Sequence, residues 1–202
     1  MAGKAVIKVV HRCTDATVNQ NLDLSECQLM SFPDAIYHLM RNTVLLGCDL
    51  SSNVLRKLPS KFAIKFVYIT ELNLANNRLS TLPDELLDVT ELQRLDISRN
   101  DFLSLPKVVF KLPRLTHLNA QKNYISEVDV NRLKSAPALQ EVDLRNNPLD
   151  RSNLGQLMEF KSPRLTVHVS PLAEEDEDLK DLLEFEDDPL PSDPLPSDRN
   201  RD

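Results

Sequence analysis

Between residues 69 and 125 the chain repeats itself with a fixed shift. Ile69, Leu72, Leu74, Asn77 and Leu79 are matched 23 residues later by Leu92, Leu95, Ile97, Asn100 and Phe102, and 23 later again by Leu115, Leu118, Ala120, Asn123 and Ile125. A period of roughly 20 to 50 residues means stacked units, each too small to bury its own apolar face. Around Leu72 and Leu74, or Leu95 and Ile97, apolar and polar residues alternate, the period of a strand buried on one face. Each unit is therefore a short strand followed by a return. The Asn stands where the chain leaves the strand. Its amide both donates and accepts, and so can satisfy turn backbone groups that would otherwise be buried without partners.

The unit extends in both directions. Repeats start at residues 19, 45, 69, 92, 115 and 139, steps of 26, 24, 23, 23 and 24. The first carries Leu22, Leu24, Cys27 and Leu29, the second Cys48, Leu50, Asn53 and Leu55, and the sixth Val142, Leu144, Asn147 and Leu149. The spacing L-x-x-L-x-L-x-x-N-x-L, in register over residues 19–165, resembles the leucine-rich repeat family. Residues 5–42 are similar to its small intracellular members. The resemblance implies an α/β solenoid, with a curved parallel sheet on the concave face, short helices and turns on the convex face, and partner binding on the concave side.

The returns repeat too, as Phe32-Pro33, Leu58-Pro59, Leu82-Pro83 and Leu105-Pro106. Proline cannot donate to a ladder and marks the exit from the sheet. The two longest returns are expected to hold helices at 34–40 and 60–66. Repeat five has Asp129 in place of the Leu-Pro pair, and a short helix is expected at 130–135. A solenoid must cover the open ends of its core. Residues 1–18 supply a helical cap: Val6, Val9, Val10, Cys13 and Thr17 recur at helical spacing over 4–17, with Lys8, Arg12 and Asp15 on the other side. Residues 19–149 are six repeats and 150–170 a C-terminal cap, helical over 153–160. Leu165, Val167 and Val169 then alternate as a closing edge strand, which is out of phase because His168 falls where a core leucine is expected.

From residue 171 the composition changes. Residues 171–202 hold 13 acidic and 3 basic residues, net −10; the preceding 170 hold 18 acidic and 21 basic, net +3. This acidic, proline-rich tail cannot offset its chain entropy by burial and is expected to be disordered when free. Within it, Leu179, Leu182, Leu183 and Phe185 form one face of a short helix that a partner could induce. They overlap an L-x-x-L-L box and a clathrin-box-like LLEFE. Cys13, Cys27 and Cys48 are odd in number and unclustered, and extracellular relatives are set apart by cysteine-rich caps that are absent here. Reduced structural thiols are expected. No run is long enough for a membrane helix, the start lacks a secretory pattern, and the location expected is the cytoplasm, with the nucleus open.

A search for catalysis comes back empty. Three glycines in the chain leave no phosphate cradle, and His11, His38, His117 and His168 fall in different units. No enzyme activity, cofactor or metal is expected. What the repeat supplies is a surface. The residues between the core leucines line the concave face, acidic in the first three repeats (Glu71 among them) and mixed to basic later, through Arg94, Asp96, Arg99, His117, Lys122, Glu141 and Arg145. Arginine is a favoured hot-spot residue, which singles out Arg94, Arg99 and Arg145. Asp23, Asp49, Asn73, Asp96, Asn119 and Asp143 share one slot, either a binding stripe or a solvated face suited to tight curvature. The function expected is a non-enzymatic, monomeric protein-interaction module for a protein partner, not nucleic acid or membrane, with the tail as modulator. Two alternatives are a nuclear acidic regulator binding histones or a phosphatase, as the resemblance to acidic leucine-rich nuclear phosphoproteins implies, and a structural protein without a saturable partner.

Overall fold

The computed structural model describes residues 2–171, with side chains from residue 7 onward. Seven three-residue strands form one parallel sheet in sequence order: β1 (Asn21–Asp23), β2 (Gly47–Asp49), β3 (Glu71–Asn73), β4 (Arg94–Asp96), β5 (His117–Asn119), β6 (Glu141–Asp143) and β7 (Thr166–His168). Register turns the sequence period into rows. Leu22, Cys48, Leu72, Leu95, Leu118, Val142 and Val167 stand side by side, and the first six are at most 4% exposed. Three residues suffice for a strand because both neighbours reinforce it. The N–H groups of Leu24, Leu50, Leu74, Ile97, Ala120 and Leu144 each donate to the next repeat's carbonyl at 2.7–2.8 Å.

The asparagine column does what its chemistry requires. Asn100 Nδ2 donates to Leu74 O at 2.9 Å, Ile97 O at 3.1 Å and Ser98 O at 3.0 Å, while its Oδ1 accepts Leu79 N–H at 2.9 Å. Asn53, Asn77, Asn123 and Asn147 repeat the pattern, each reaching one repeat back. Repeat one has no predecessor to tie, and there the buried Cys27 takes the slot.

Repeat length decides what the convex side contains. Repeats one, two and five, stepping 26, 24 and 24 residues, return through α2 (Asp34–Leu39), α3 (Ser60–Lys65) and α4 (Val130–Ser135). The two 23-residue repeats use 3₁₀ turns, Asp84–Asp88 and Lys107–Phe110. A 3₁₀ turn rises about 2.0 Å per residue against about 1.5 Å in an α-helix, so it spans the return with fewer residues. Pro33, Pro59, Pro83 and Pro106 precede their helical turns with ψ between 129° and 145°. Asp129 caps α4 by accepting Arg132 N–H at 3.1 Å. The first two returns enclose Phe32, Tyr37, Phe62 and Phe66, whose rings lie 5.1–6.2 Å apart. Burial, and to a lesser degree the Asp34 charge, pushes the Tyr37 phenol up to about 12.

Helix α1 (Ala2–Asn19) covers β1, with two corrections to its expected faces. Among its described side chains the buried ones are Cys13 and Ala16, while Val10 and Thr17 are exposed. Arg12 is not on the outer side: its Nη1 donates to Ser25 O at 2.6 Å and pairs with Asp23 at 3.1 Å. In later repeats the equivalent carbonyl, such as Ser51 O or Ser98 O, accepts a turn amide from the repeat before. Ser25 has no repeat before it, and Arg12 supplies that donor. Cys13, Cys27 and Cys48 are free and buried, and burial pushes the Cys13 and Cys48 thiols up.

At the other end, α5 (Arg151–Met158) is capped by Asp150, which accepts Asn153 N–H at 2.7 Å. Strand β7 corrects another expectation. Val167 pairs with Val142, and His168 with Asp143. The strand is in phase, because a step of 25 residues puts Val167 in the core row. His168 falls in the outward Asp/Asn row. Two residues after Val169 comes Pro171, where earlier repeats use an N–H such as that of Lys122, which donates to Arg145 O at 2.9 Å. A proline there leaves no donor to satisfy. Residues 172–202, with the expected tail and its motif, lie outside the described residues.

Candidate partner surface

Two outward rows run across the sheet. One holds Asn21, Gly47, Glu71, Arg94, His117, Glu141 and Thr166; the other holds Asp23, Asp49, Asn73, Asp96, Asn119, Asp143 and His168. Together they floor a shallow groove of about 440 Å³ over repeats one to five.

The second row is committed to the fold. The side-chain Oδ1 of Asp23, Asp49, Asn73, Asp96, Asn119 and Asp143 each accepts the backbone N–H two residues on, at 2.7–3.2 Å. This is the Asx turn, which Asp and Asn form and Ser or Thr would form more weakly. Asn73 Nδ2 also donates to Asp49 at 3.0 Å, and Asn119 Nδ2 to Asp96 at 2.8 Å. The stripe turns the chain out of each strand, a third role beside the two weighed from sequence. The signal was present, since the stripe always stands two residues before the turn.

The first row is largely paired. Arg94 meets Glu71 at 3.1 Å. Glu141 is shared by His117 at 3.5 Å and His168 at 3.3 Å. The strand rows thus carry six carboxylates, a single arginine and two histidines. The expected shift toward positive charge in the later repeats is not on the strands. Arg99, Lys122 and Arg145 follow strands only three residues long, and by then the backbone has already turned.

Arg145 folds back onto Asp143, Nε to Oδ1 at 3.0 Å and Nη2 to Oδ2 at 2.6 Å. Partial burial works against the Asp143 carboxylate. The Arg145 hydrogen bonds, and the Arg145 and His168 charges, outweigh it and hold its pKa below the ordinary value. A lowered folded-state pKa stabilises above the unfolded-state pKa of about 3.9, and the contribution is lost as pH falls through the folded value. Asp143→Asn is therefore expected to flatten the fall of unfolding free energy in an acid titration. A slope identical to that of the parent chain would show that the clamp is not formed in solution.

Arg99 and Lys122 differ from the other cations of the predicted set. They occupy adjacent turns with φ of 53° and 54°. Their amides continue the ladder, to Gln121 O and Arg145 O, but their side chains are exposed and make no hydrogen bond or ion pair with a described residue. Glu26, Ser52, Asn76 and Asn146 share the column at 53°–60°, a conformation that Gly and Asn tolerate and a long side chain pays for. Close by in sequence are Tyr124, 59% exposed, and Leu103, 70% exposed. Leu103 was missed because it sits next to a core position and reads as part of an apolar run. Among the described residues no group of His, Cys, Asp and Glu is arranged to hold a metal, and no helix is long and apolar enough to cross a membrane.

Comparison with known proteins gives the same picture of the repeats. Residues 90–149 match a family model described as Leucine rich repeat, and residues 68–88 match a second of that description. A Mus musculus protein, leucine-rich repeat-containing protein 20, is 37% identical over 151 residues, covering 73% of this chain and 82% of that protein. Its Homo sapiens namesake is 38% identical over 97 residues, 46% of this chain and 51% of that protein. Among solved structures, the TLR13–ssRNA13 complex aligns with a TM-score of 0.61 at 18% identity, over 75% of this chain and 21% of that one. The leucine-rich repeat domain of APL1B aligns at 0.55 and 20% identity, over 72% of this chain and 40% of that one. At such identities these structures speak to the fold alone.

Proposed function

The chain belongs to the leucine-rich repeat family, and from that premise we propose that it is a non-enzymatic interaction module whose protein partner is gripped by Arg99 and Lys122. Solenoids expose extended surfaces to partners. The observation that carries the reading is the contrast among the cations. Arg94 and Arg145 are held by Glu71 and Asp143, whereas the Arg99 and Lys122 side chains, in turns of positive φ, pair with no described residue, and Tyr124 stands exposed two residues after Lys122. Arginine and tyrosine are the side chains on which binding energy concentrates. The concave rows, mostly turn-forming or paired, give the partner its shape complementarity. A partner carrying acidic groups fits these contacts. Residues 171–202, with net charge −10, have the sign to weaken such binding, and their deletion strengthens it at low salt. The cytoplasm, where buried thiols stay reduced, suits the three free cysteines.

The test is quantitative affinity capture with the full chain. Arg99→Glu/Lys122→Glu is expected to weaken recovery of the partner by about tenfold or more, ~1.4 kcal/mol. Lys107→Glu, on the convex 3₁₀ turn, is expected to change nothing. Equal recovery by the reversed variant would reject the assignment.

A further inference from the structure

The flank where the chain enters the strands differs between the two halves of the solenoid. The slot just before the first core position holds Val44, Tyr68, Glu91, Arg114 and Ala138 in repeats two to six. In repeats four and five that water-facing slot is filled by the Glu91–Arg114 ion pair. In repeats two and three it is filled by Val44, 46% exposed, and Tyr68, 57% exposed. Between them runs a groove of about 330 Å³, with the buried Phe66 in its wall and Arg41 and Lys65 beside it. No acidic residue lines it. Neither the Arg41 nor the Lys65 side chain makes a hydrogen bond or ion pair with a described residue.

An exposed apolar patch bordered by unpaired charge of one sign is what a binding site for an oppositely charged partner presents. We propose that this groove docks an acidic segment of a partner protein through an aromatic or aliphatic anchor. The anchor lies between Val44 and Tyr68, against Phe66, and carboxylates before and after it meet Arg41 and Lys65. Charge complementarity selects this occupant over the same face of a second copy, which would bring Arg41 and Lys65 against their own kind. The groove lies at the N-terminal ends of the strands, whereas Arg99 and Lys122 follow the C-terminal ends. The two surfaces are separate, and the groove does not depend on the assignment made for those cations.

The full chain is titrated with a fluorescein-labelled synthetic peptide, Glu-Asp-Phe-Leu-Glu-Asp, and with its counterpart bearing Lys at the four acidic positions. Saturable binding of the acidic peptide alone is expected. Tyr68→Glu, which installs the residue type the fold accepts in the same slot one repeat later, is expected to weaken it by about tenfold. Arg41→Glu/Lys65→Glu is expected to abolish it, while Lys107→Glu, on the convex 3₁₀ turn Lys107–Phe110, leaves it unchanged. Failure of the acidic peptide to bind, equal binding of the lysine peptide, or undiminished binding by Tyr68→Glu overturns the proposal. So does a dimer in sedimentation that Tyr68→Glu dissolves, which would make a second copy the occupant.

Discussion

Phe62→Ala is expected to lower the unfolding free energy by about 3–5 kcal/mol. The Phe62 ring is fully buried, 5.2 Å from both Phe32 and Phe66 in edge-on contact. Those neighbours are fixed by the connection before α2 and the end of α3, and cannot close over the void. The loss combines transfer of a large apolar side chain with the cavity it leaves and with ring pairings worth about 0.5–1.5 kcal/mol each. Domains of this size are stable by only about 5–15 kcal/mol, so much of the margin disappears. Solenoid stability is a sum over neighbours, and the damage should be local. Hydrogen exchange is expected to rise first in repeats one and two, and denaturant melts should give the total. A loss below about 1 kcal/mol would mean that the aromatic cluster repacks around the gap.

Asn100→Ala carries the second large effect, because one truncation strands several backbone groups at once. Leu79 N–H loses its acceptor, and the carbonyls of Leu74, Ile97 and Ser98 lose a donor. A buried polar group left without a partner costs about 1–3 kcal/mol. Carbonyls are partly served by other bonds, so a total near 3 kcal/mol is expected in urea unfolding. A change near zero would mean that the column does not hold the turns together.

Much of this architecture was legible in the sequence, for a physical reason. A repeat multiplies each weak local signal: one leucine-asparagine spacing means little, and six in register leave few folds open. The return helices were readable from length and punctuation, with Asp129 marking the start of α4. What failed depended on contacts rather than period. Arg12 was placed on the outer face of α1 because helical spacing cannot show that Ser25 lacks a preceding repeat. Strand β7 reads as out of phase in the sequence because the step to it is one residue longer than the step before it. From sequence the Asp/Asn stripe reads as a binding stripe or a solvated face, because sequence shows a side chain's slot but not the amide it faces. For the same reason Arg94, Arg99, Lys122 and Arg145 looked equivalent. Only geometry separates the two held by carboxylates from the two whose side chains pair with no described residue.

Leucines and asparagines make the fold, while Arg99 and Lys122 occupy backbone positions that serve the fold poorly and a partner well. The most direct test is the unfolding free energy of Arg99→Gly/Lys122→Gly in urea. Glycine adopts φ near 53° and 54° without strain, and that relief offsets its greater entropy when unfolded. Stability is expected to be unchanged or raised by up to about 1 kcal/mol. A fall of more than about 1 kcal/mol would contradict that, by showing that these side chains are part of what holds the turns.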